Sequence, residues 1–308
     1  MPDARTVPDP AVVAPPILLV VFNRPEGTRR MIDALRKVAP PRLFVAADGP
    51  RPDRPEDVER CRATRAVIDE VDWPCEVRRL EHDGNLGLSR AMVAAIDWFF
   101  EQVDAGVILE DDCLVHHDFL RFAGEVLDHH RDTEEVSYVT AVNLRPHQDP
   151  VLDTYAFASC GHVWGWATWA RTWRTFDPFL SAWPEHAERF GRGASPLHRN
   201  LGRKFASAHS GGRHSWARAL HFHVARHDGL VVVPPVNLVR NIGIGPDASN
   251  TRSSRHPLAR LPVGHLEFPI RHPDALVADP DYDAAMAIFH KRRLKYWFKN
   301  FGNRRAGV

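Results

Sequence analysis

Apolar and polar positions in the first third of the chain alternate between two periods. Residues 17–22 are a continuous apolar, β-branched run, the pattern of a strand buried on both faces. Residues 26–38 place Met31, Leu35 and Val38 at helical spacing, after a break at Asn23-Arg24-Pro25. Residues 43–47 predict a second strand closed by Asp48-Gly49-Pro50, followed by a polar helix over about 55–70 and a third strand over 75–80. The loop 82–87 opens a helix whose apolar face is Leu88, Met92, Ile96, Phe99 and Val103. A fourth buried strand, 106–109, then runs into Glu110-Asp111-Asp112. Four strand–helix alternations with short loops predict an α/β fold, an open and mostly parallel sheet flanked by helices with right-handed crossovers. Such sheets bind ligands beyond the carboxyl ends of their strands. Arg24, Asp48 and the Glu110–Asp112 triplet each stand at such an end, so they are expected to share one cleft.

The second half is less regular. Residues 136–142 predict another strand, 195–213 read as loop-like or weakly helical, and 214–227 as a helix. Residues 230–239 read as a strand broken at Pro234-Pro235, and 241–251 as a glycine-bearing loop. Four of the nine tryptophans fall within residues 161–173. No internal repeat is visible.

Composition narrows the function classes. The chain has 308 residues, 40 Lys plus Arg and 39 Asp plus Glu, so no global charge steers it to nucleic acid. Seven of the cations lie in residues 289–305, leaving 33 against 39 acids elsewhere. The four cysteines form no CxxC pair, which fits a reducing cytosol and suggests neither a redox motif nor a cysteine zinc site. Eighteen histidines include His116-His117, His129-His130 and His221 with His223, but no spacing completes a metal constellation. Residues 1–16, with five prolines and no apolar core segment, read as a disordered leader. The longest apolar run is too short to span a bilayer. The expectation is a soluble, cytoplasmic protein divided as a leader (1–16), a catalytic domain (17–251) and a C-terminal extension (252–308).

Three consecutive carboxylates at the mouth of an apolar strand repel one another unless something neutralises them. A divalent cation removes that cost, and carboxylates are ligands that Mg²⁺ or Mn²⁺ prefers. Strand alternation is expected to put Glu110 and Asp112 on one face and Asp111 on the other. A solvated strand-to-loop turn accounts for the triplet equally well from these residues alone.

Several motifs in order carry a resemblance. They are Phe22-Asn23-Arg24, Ala47-Asp48, Val107 through Asp112, Asp118-Phe119-Leu120, Gly161 through Trp166, and Asn237 through Gly243. Together, over roughly residues 17–251, they resemble the GT-A (Rossmann-like) nucleotide-sugar glycosyltransferases, especially bacterial family-2-like enzymes and, more distantly, N-acetylglucosaminyltransferase I. The resemblance implies a sugar transferred from a nucleotide-diphosphate donor, most simply a UDP-sugar, to a saccharide or lipid-linked acceptor. It implies that Arg24 contacts the base or diphosphate, Asp48 the base edge and Asp111 the ribose. It further implies that Asp112 holds Mn²⁺ or Mg²⁺ against the diphosphate, as a Lewis acid for the leaving nucleotide. Glu110 belongs to the same donor site. Ser89, behind the loop 83–87, is a phosphate contact where a helix starts, against ordinary capping at Asn85. Trp164, Trp166 and Trp216 are candidates for an acceptor platform, although the spacing of the tryptophans requires one or two of the 161–173 group to be core.

One piece departs from the resemblance. Where N-acetylglucosaminyltransferase I has an Asp after a Trp as its base, Trp216 is followed here by Ala217. Asp247, in the loop 243–251, is then the first candidate for the base and His214 the second. Residues 289–301 predict a basic amphipathic helix, with Leu294, Trp297, Phe298 and Phe301 on one face, suited to an anionic membrane surface or to docking on the domain. Two other readings stand beside this one. A sugar nucleotidyltransferase wants more cations after the first strand than Arg24 alone, and a non-catalytic nucleotide-sugar-binding protein needs no base. A glycoside hydrolase needs carboxylates about 5–10 Å apart across a sugar, which a contiguous triplet does not supply.

Overall fold

The computed structural model describes residues 14–145, 154–212, 215–243 and 261–290. The first strand and helix are β1 (Ile17–Val21) and α1 (Pro25–Arg36), followed by β2 (Arg42–Ala47), α2 (Glu56–Ala66), β3 (Glu76–Glu81), α3 (Leu88–Phe100) and β4 (Ala105–Glu110). These strands pair in parallel, as the alternating pattern predicts, in the order β3-β2-β1-β4. Pleating divides their side chains between two cores. Leu19, Val45 and Leu109 face α1, whose Met31, Ile32 and Leu35 are buried. Leu18, Phe44 and Ile108 face Met92, Ile96 and Phe99 of α3. Strand β3 is an edge whose Glu76, Arg78, Arg79 and Glu81 meet solvent or salt-bridge partners. The sheet begins earlier than the expected leader ends: Ala14 is buried, and the Pro16 carbonyl accepts from Val107 N at 2.9 Å.

The second half extends the sheet. It contains β5 (Cys113–Val115), α4 (His117–His129), β6 (Val136–Thr140), β7 (Ala156–Ala158), β8 (Trp166–Trp169) and the short helices α5 (Ala170–Trp173) and α6 (Trp183–His186). There follow α7 (Pro196–His209), α8 (Trp216–Arg226), β9 (Leu230–Val233), β10 (Val239–Asn241) and α9 (Pro280–His290). The eight-stranded order is β3-β2-β1-β4-β8-β6-β9-β7, with β8 and β7 antiparallel to their neighbours, which makes a mostly parallel, Rossmann-like sheet. Strands β10 and β5 form a separate antiparallel pair. The proline pair after β9 sends the chain from one sheet to the other, and Asn143 Nδ2 donates to the carbonyls of both Pro234 and Pro235 at 2.8 Å.

Two expectations fail here. Residues 195–213 contain a regular fourteen-residue helix, α7. Ser195 Oγ accepts from His198 N, Pro196 takes the first turn, and Leu197, Leu201, Phe205 and Ala208 are buried on one side. Its His and Arg residues diluted the apolar signal. Strand β8 was also not expected: inserted antiparallel between β4 and β6, it is recognisable only once the sheet supplies its partners.

Residues 261–290 join the same core through Leu261, Leu266, Ile270, Tyr282 and Met286. No helix among the described residues is long and apolar enough to cross a membrane. The basic segment 291–301, which makes up most of the expected amphipathic helix, lies outside the described residues; only Phe289 and His290 of that expected helix fall within α9.

Candidate functional site

The carboxyl ends of β1, β2 and β4 meet, and backbone bonds tie them together. Asp48 N donates to Val21 O and Asp111 N to Val20 O, both at 3.1 Å. Arg24, Asp48 and the triplet therefore stand side by side, as their strand-end positions require.

Arg24 sits at the N-terminus of α1, and its Nη1 lies 2.9 Å from Asp111 Oδ1 and 2.9 Å from Asp112 Oδ2. The expected alternation of the triplet is corrected here. Strand β4 ends at Glu110 and the chain turns, so Asp111 and Asp112 both face Arg24 instead of opposite sides. Asp112 Oδ1 accepts from Asn241 Nδ2 at 3.2 Å and takes the Cys113 thiol at 3.2 Å. Ile242 N donates to the Asp112 carbonyl at 2.7 Å. Gly243 closes the far side: a Cβ there would stand 2.3 Å from Asp112 Oδ2. Gly27 performs a similar duty, since a Cβ would come within 2.8 Å of the Asp111 carbonyl.

Negative charge exceeds positive charge in this group. Burial raises Asp111 to about 6, against the pull of Arg24. Burial, then the charges of Asp112 and Asp111, push Glu110 up to about 8. Asp111 Oδ2 is buried with no hydrogen-bond partner among the described residues. Glu110 does not complete a three-residue ligand cluster with Asp111 and Asp112; the two aspartates alone offer the carboxylate oxygens that a hard divalent cation of the Mg²⁺ or Mn²⁺ type takes.

Asp48 is engaged from within the protein. Its carboxylate accepts from Gly49 N and Leu86 N at 2.9 and 2.8 Å, from Asn85 Nδ2 at 2.8 Å and from Gly87 N at 3.3 Å. It thereby organises the loop that starts α3, where Ser89 stands half-buried in the first turn. Asn85 does not cap that helix; Gly87 stands at the cap position, at φ +78°, a conformation that favours glycine.

The loop after β1 has a second set of supports that sequence reasoning missed. Asp57 is buried and accepts from Asn23 Nδ2 at 2.6 Å and from Arg51 Nε and Nη2 at 2.5 and 3.0 Å. Those bonds hold its carboxyl down at about 2. The Arg51 guanidinium also lies 5.4 Å from the Phe22 ring centre. Asp57 looked like one more acid in a polar helix, and nothing in its spacing marks it. Asn241 and Gly243 did fall within a quoted motif, but without a role.

The tryptophan platform is corrected. Trp166 and Trp216 are 1% and 3% exposed and stack on each other at 5.7 Å within the core shared with Tyr138 and Leu220. A ring closed in on both faces cannot receive a sugar. Trp169 and Trp173 are buried too, while Trp164 is half-buried and edges onto His162 at 4.5 Å. Asp247 and His214, the two base candidates, lie outside the described residues.

No protein-family model matches this chain, and no curated protein matches it. Solved structures similar to it include HddC from Yersinia pseudotuberculosis, at 9% identity over 51% of this chain and 77% of that one, with a TM-score of 0.33. A putative glucose-1-phosphate thymidylyltransferase from Bacillus anthracis, in complex with sucrose, matches at 8% identity over 79% and 95%, TM-score 0.37. The 4-diphosphocytidyl-2C-methyl-D-erythritol synthase of Anaerococcus prevotii matches at 9% identity over 71% and 86%, TM-score 0.35. Likenesses at this level assign neither family nor activity.

Proposed function

We propose that this protein is a metal-dependent glycosyltransferase that moves a sugar from a nucleotide-diphosphate donor, most simply a UDP-sugar, to a saccharide or lipid-linked acceptor. The observation that supports it is the pair of strand-end carboxylates: Asp111 and Asp112 share the Arg24 guanidinium, and Asp111 Oδ2 is buried without a hydrogen-bond partner among the described residues. Asp112 and Asp111 would hold Mn²⁺ or Mg²⁺, which supplies Lewis-acid neutralisation of the leaving diphosphate. Arg24, whose planar two-pronged guanidinium suits phosphate oxygens, would then meet the donor's phosphates in place of the carboxylates. Asp48 then acts by holding the loop 83–87 and Ser89 against the donor. Asp247 is the first candidate for the acceptor-deprotonating base and His214 the second.

A thermal-shift panel of nucleotide sugars, with and without Mn²⁺, tests the donor half without knowledge of the acceptor. Stabilisation by a nucleoside-diphosphate sugar that requires Mn²⁺ supports the reading. Release of pyrophosphate from a nucleoside triphosphate and a sugar 1-phosphate replaces it with a nucleotidyltransferase. Donor binding with no turnover across an acceptor panel replaces it with a binding protein. With a working acceptor, Asp247→Asn is expected to cost about 10²–10⁴ in rate while donor affinity holds, and His214→Ala serves as the comparison.

A further inference from the structure

Away from the carboxylate cleft, three soft metal-ligating groups come together from distant parts of the chain. Cys160 follows β7, His221 lies in α8, and His290 is the last residue of α9. The Cys160 sulfur and one ring nitrogen of each histidine all lie within 4.8 Å of one another. Cys160 Sγ stands 3.7 Å from His290 Nε2. Two ligands at the usual zinc bond lengths, about 2.3 Å for sulfur and about 2.05 Å for nitrogen, are roughly 3.6 Å apart across a tetrahedral edge. The two atoms already keep that spacing.

The protonation states suit a metal as well. Burial holds His221 at about 4 and His290 well below its ordinary value, so both imidazoles are neutral at physiological pH. The Gly161 backbone lies beside the His221 ring, whose Nε2 is buried without a hydrogen-bond partner among the described residues. A metal-ligating histidine is usually supported by such a backbone group. Asp283, fixed by Ser159 N and Oγ at 2.9 and 2.5 Å, lies within charge range of Cys160 and offsets part of an ion's charge.

We propose that Cys160, His221 and His290 form a zinc-binding site that fastens α9 to α8 and to the loop after β7, with the fourth position left to water. On binding, the thiol loses its proton to solvent and the thiolate and two neutral imidazoles coordinate the ion. Lys204 opposes this, because its Nζ lies 2.6 Å from His290 Nδ1. Once Nε2 is committed to the metal, Nδ1 carries the ring proton and cannot accept from an ammonium group, so Lys204 must move aside.

The opposition gives the experiment its signature. The full-length chain, stripped with a chelator, is titrated with Zn²⁺ against a competing chelator, and in parallel with Co²⁺ while its absorption is recorded. The expected results are one tightly held zinc per chain and a thiolate-to-cobalt charge-transfer band. Cys160→Ser should remove that band and weaken zinc tenfold or more, and Lys204→Met, which keeps every ligand, should tighten zinc severalfold. Asp112→Asn should leave the zinc stoichiometry unchanged, which separates this site from the carboxylate cleft. A wild-type protein without the band overturns the proposal, as does a band retained in Cys160→Ser. If Cys160→Ser fails to fold, the wild-type band and the Lys204→Met affinity still decide; affinity unchanged or weakened in Lys204→Met overturns the site.

Discussion

Arg24 holds one oxygen of Asp111 at 2.9 Å, while the other oxygen of that carboxylate is buried without a hydrogen-bond partner among the described residues. The pair is thus half-made, and on the proposed function a divalent cation would take the place of the guanidinium. Arg24→Gln should therefore lower the stability of metal-free protein by about 2 kcal/mol. That is less than the 3–5 kcal/mol of a fully buried broken pair, because the Arg24 side chain keeps 29% of its exposure. Mn²⁺ should restore more melting temperature to the variant than it adds to wild type. Equal Mn²⁺ shifts in the two proteins would show that the cation does not meet these carboxylates.

Asp112 is the residue on which metal binding should depend most. Asp112→Asn is expected to fold and to lose at least about tenfold in Mn²⁺-dependent nucleotide affinity, on the scale seen when a metal site loses support. Gly243→Ala should produce a similar loss without touching a charge, since the added methyl group displaces Asp112 Oδ2. Calorimetric titration of a nucleoside diphosphate in Mn²⁺ checks both. Wild-type affinity in Asp112→Asn removes the metal assignment.

Asp48 should behave as a structural hub. Asp48→Ala strips acceptors from Gly49 N, Leu86 N and Gly87 N, and a buried donor left unpaired costs about 1–3 kcal/mol. Urea unfolding should show a loss of about 2 kcal/mol with an unchanged m-value. A variant as stable as wild type but weak in nucleotide binding would assign Asp48 to the base edge instead.

Acid should destabilise the protein through its buried imidazoles. Burial, together with nearby positive groups, holds His130 and His223 at about 4, below the ordinary 6.5. A lowered folded value means the stabilisation is complete above pH 6.5 and drains away as pH falls toward 4. The histidines should lower the melting temperature between pH 6.5 and 4, while Glu110, held at about 8, acts in the opposite sense and costs stability as pH rises from about 4.5 toward 8. His130→Gln, which loses the 2.7 Å bond to Tyr155 Oη, should melt lower at pH 7 and show a shallower slope. An unchanged slope would show that His130 does not carry this dependence. Asp57, held at about 2, adds its own loss only below pH 4.

The strand-end residues were legible because the sheet geometry makes strand ends converge. Arg24, Asp48 and the triplet needed only the alternation of 17–22, 43–47 and 106–109 to be brought together. Asp57 and Asn241 were not legible, since their roles depend on contacts to Asn23 and Asp112 across 34 and 129 residues. The tryptophans misled for a related reason: an aromatic ring in sequence carries no sign of whether a second core will close over it.

What the sequence determined by itself was that the first half forms a mostly parallel sheet of four strands alternating with helices, because β-branched runs and helical apolar spacing are local properties that burial on two faces enforces; the order β3-β2-β1-β4 came from the tertiary structure. The sequence also determined that a surplus of carboxylates stands at one strand end. Only the tertiary structure decided that the chain turns after Glu110 and sets both aspartates against Arg24. It alone inserted β8 between β4 and β6 and gathered Cys160, His221 and His290 from three elements. Those outcomes rest on partners supplied from far along the chain, and the free energy of a long-range contact leaves no periodic trace in the residues that make it.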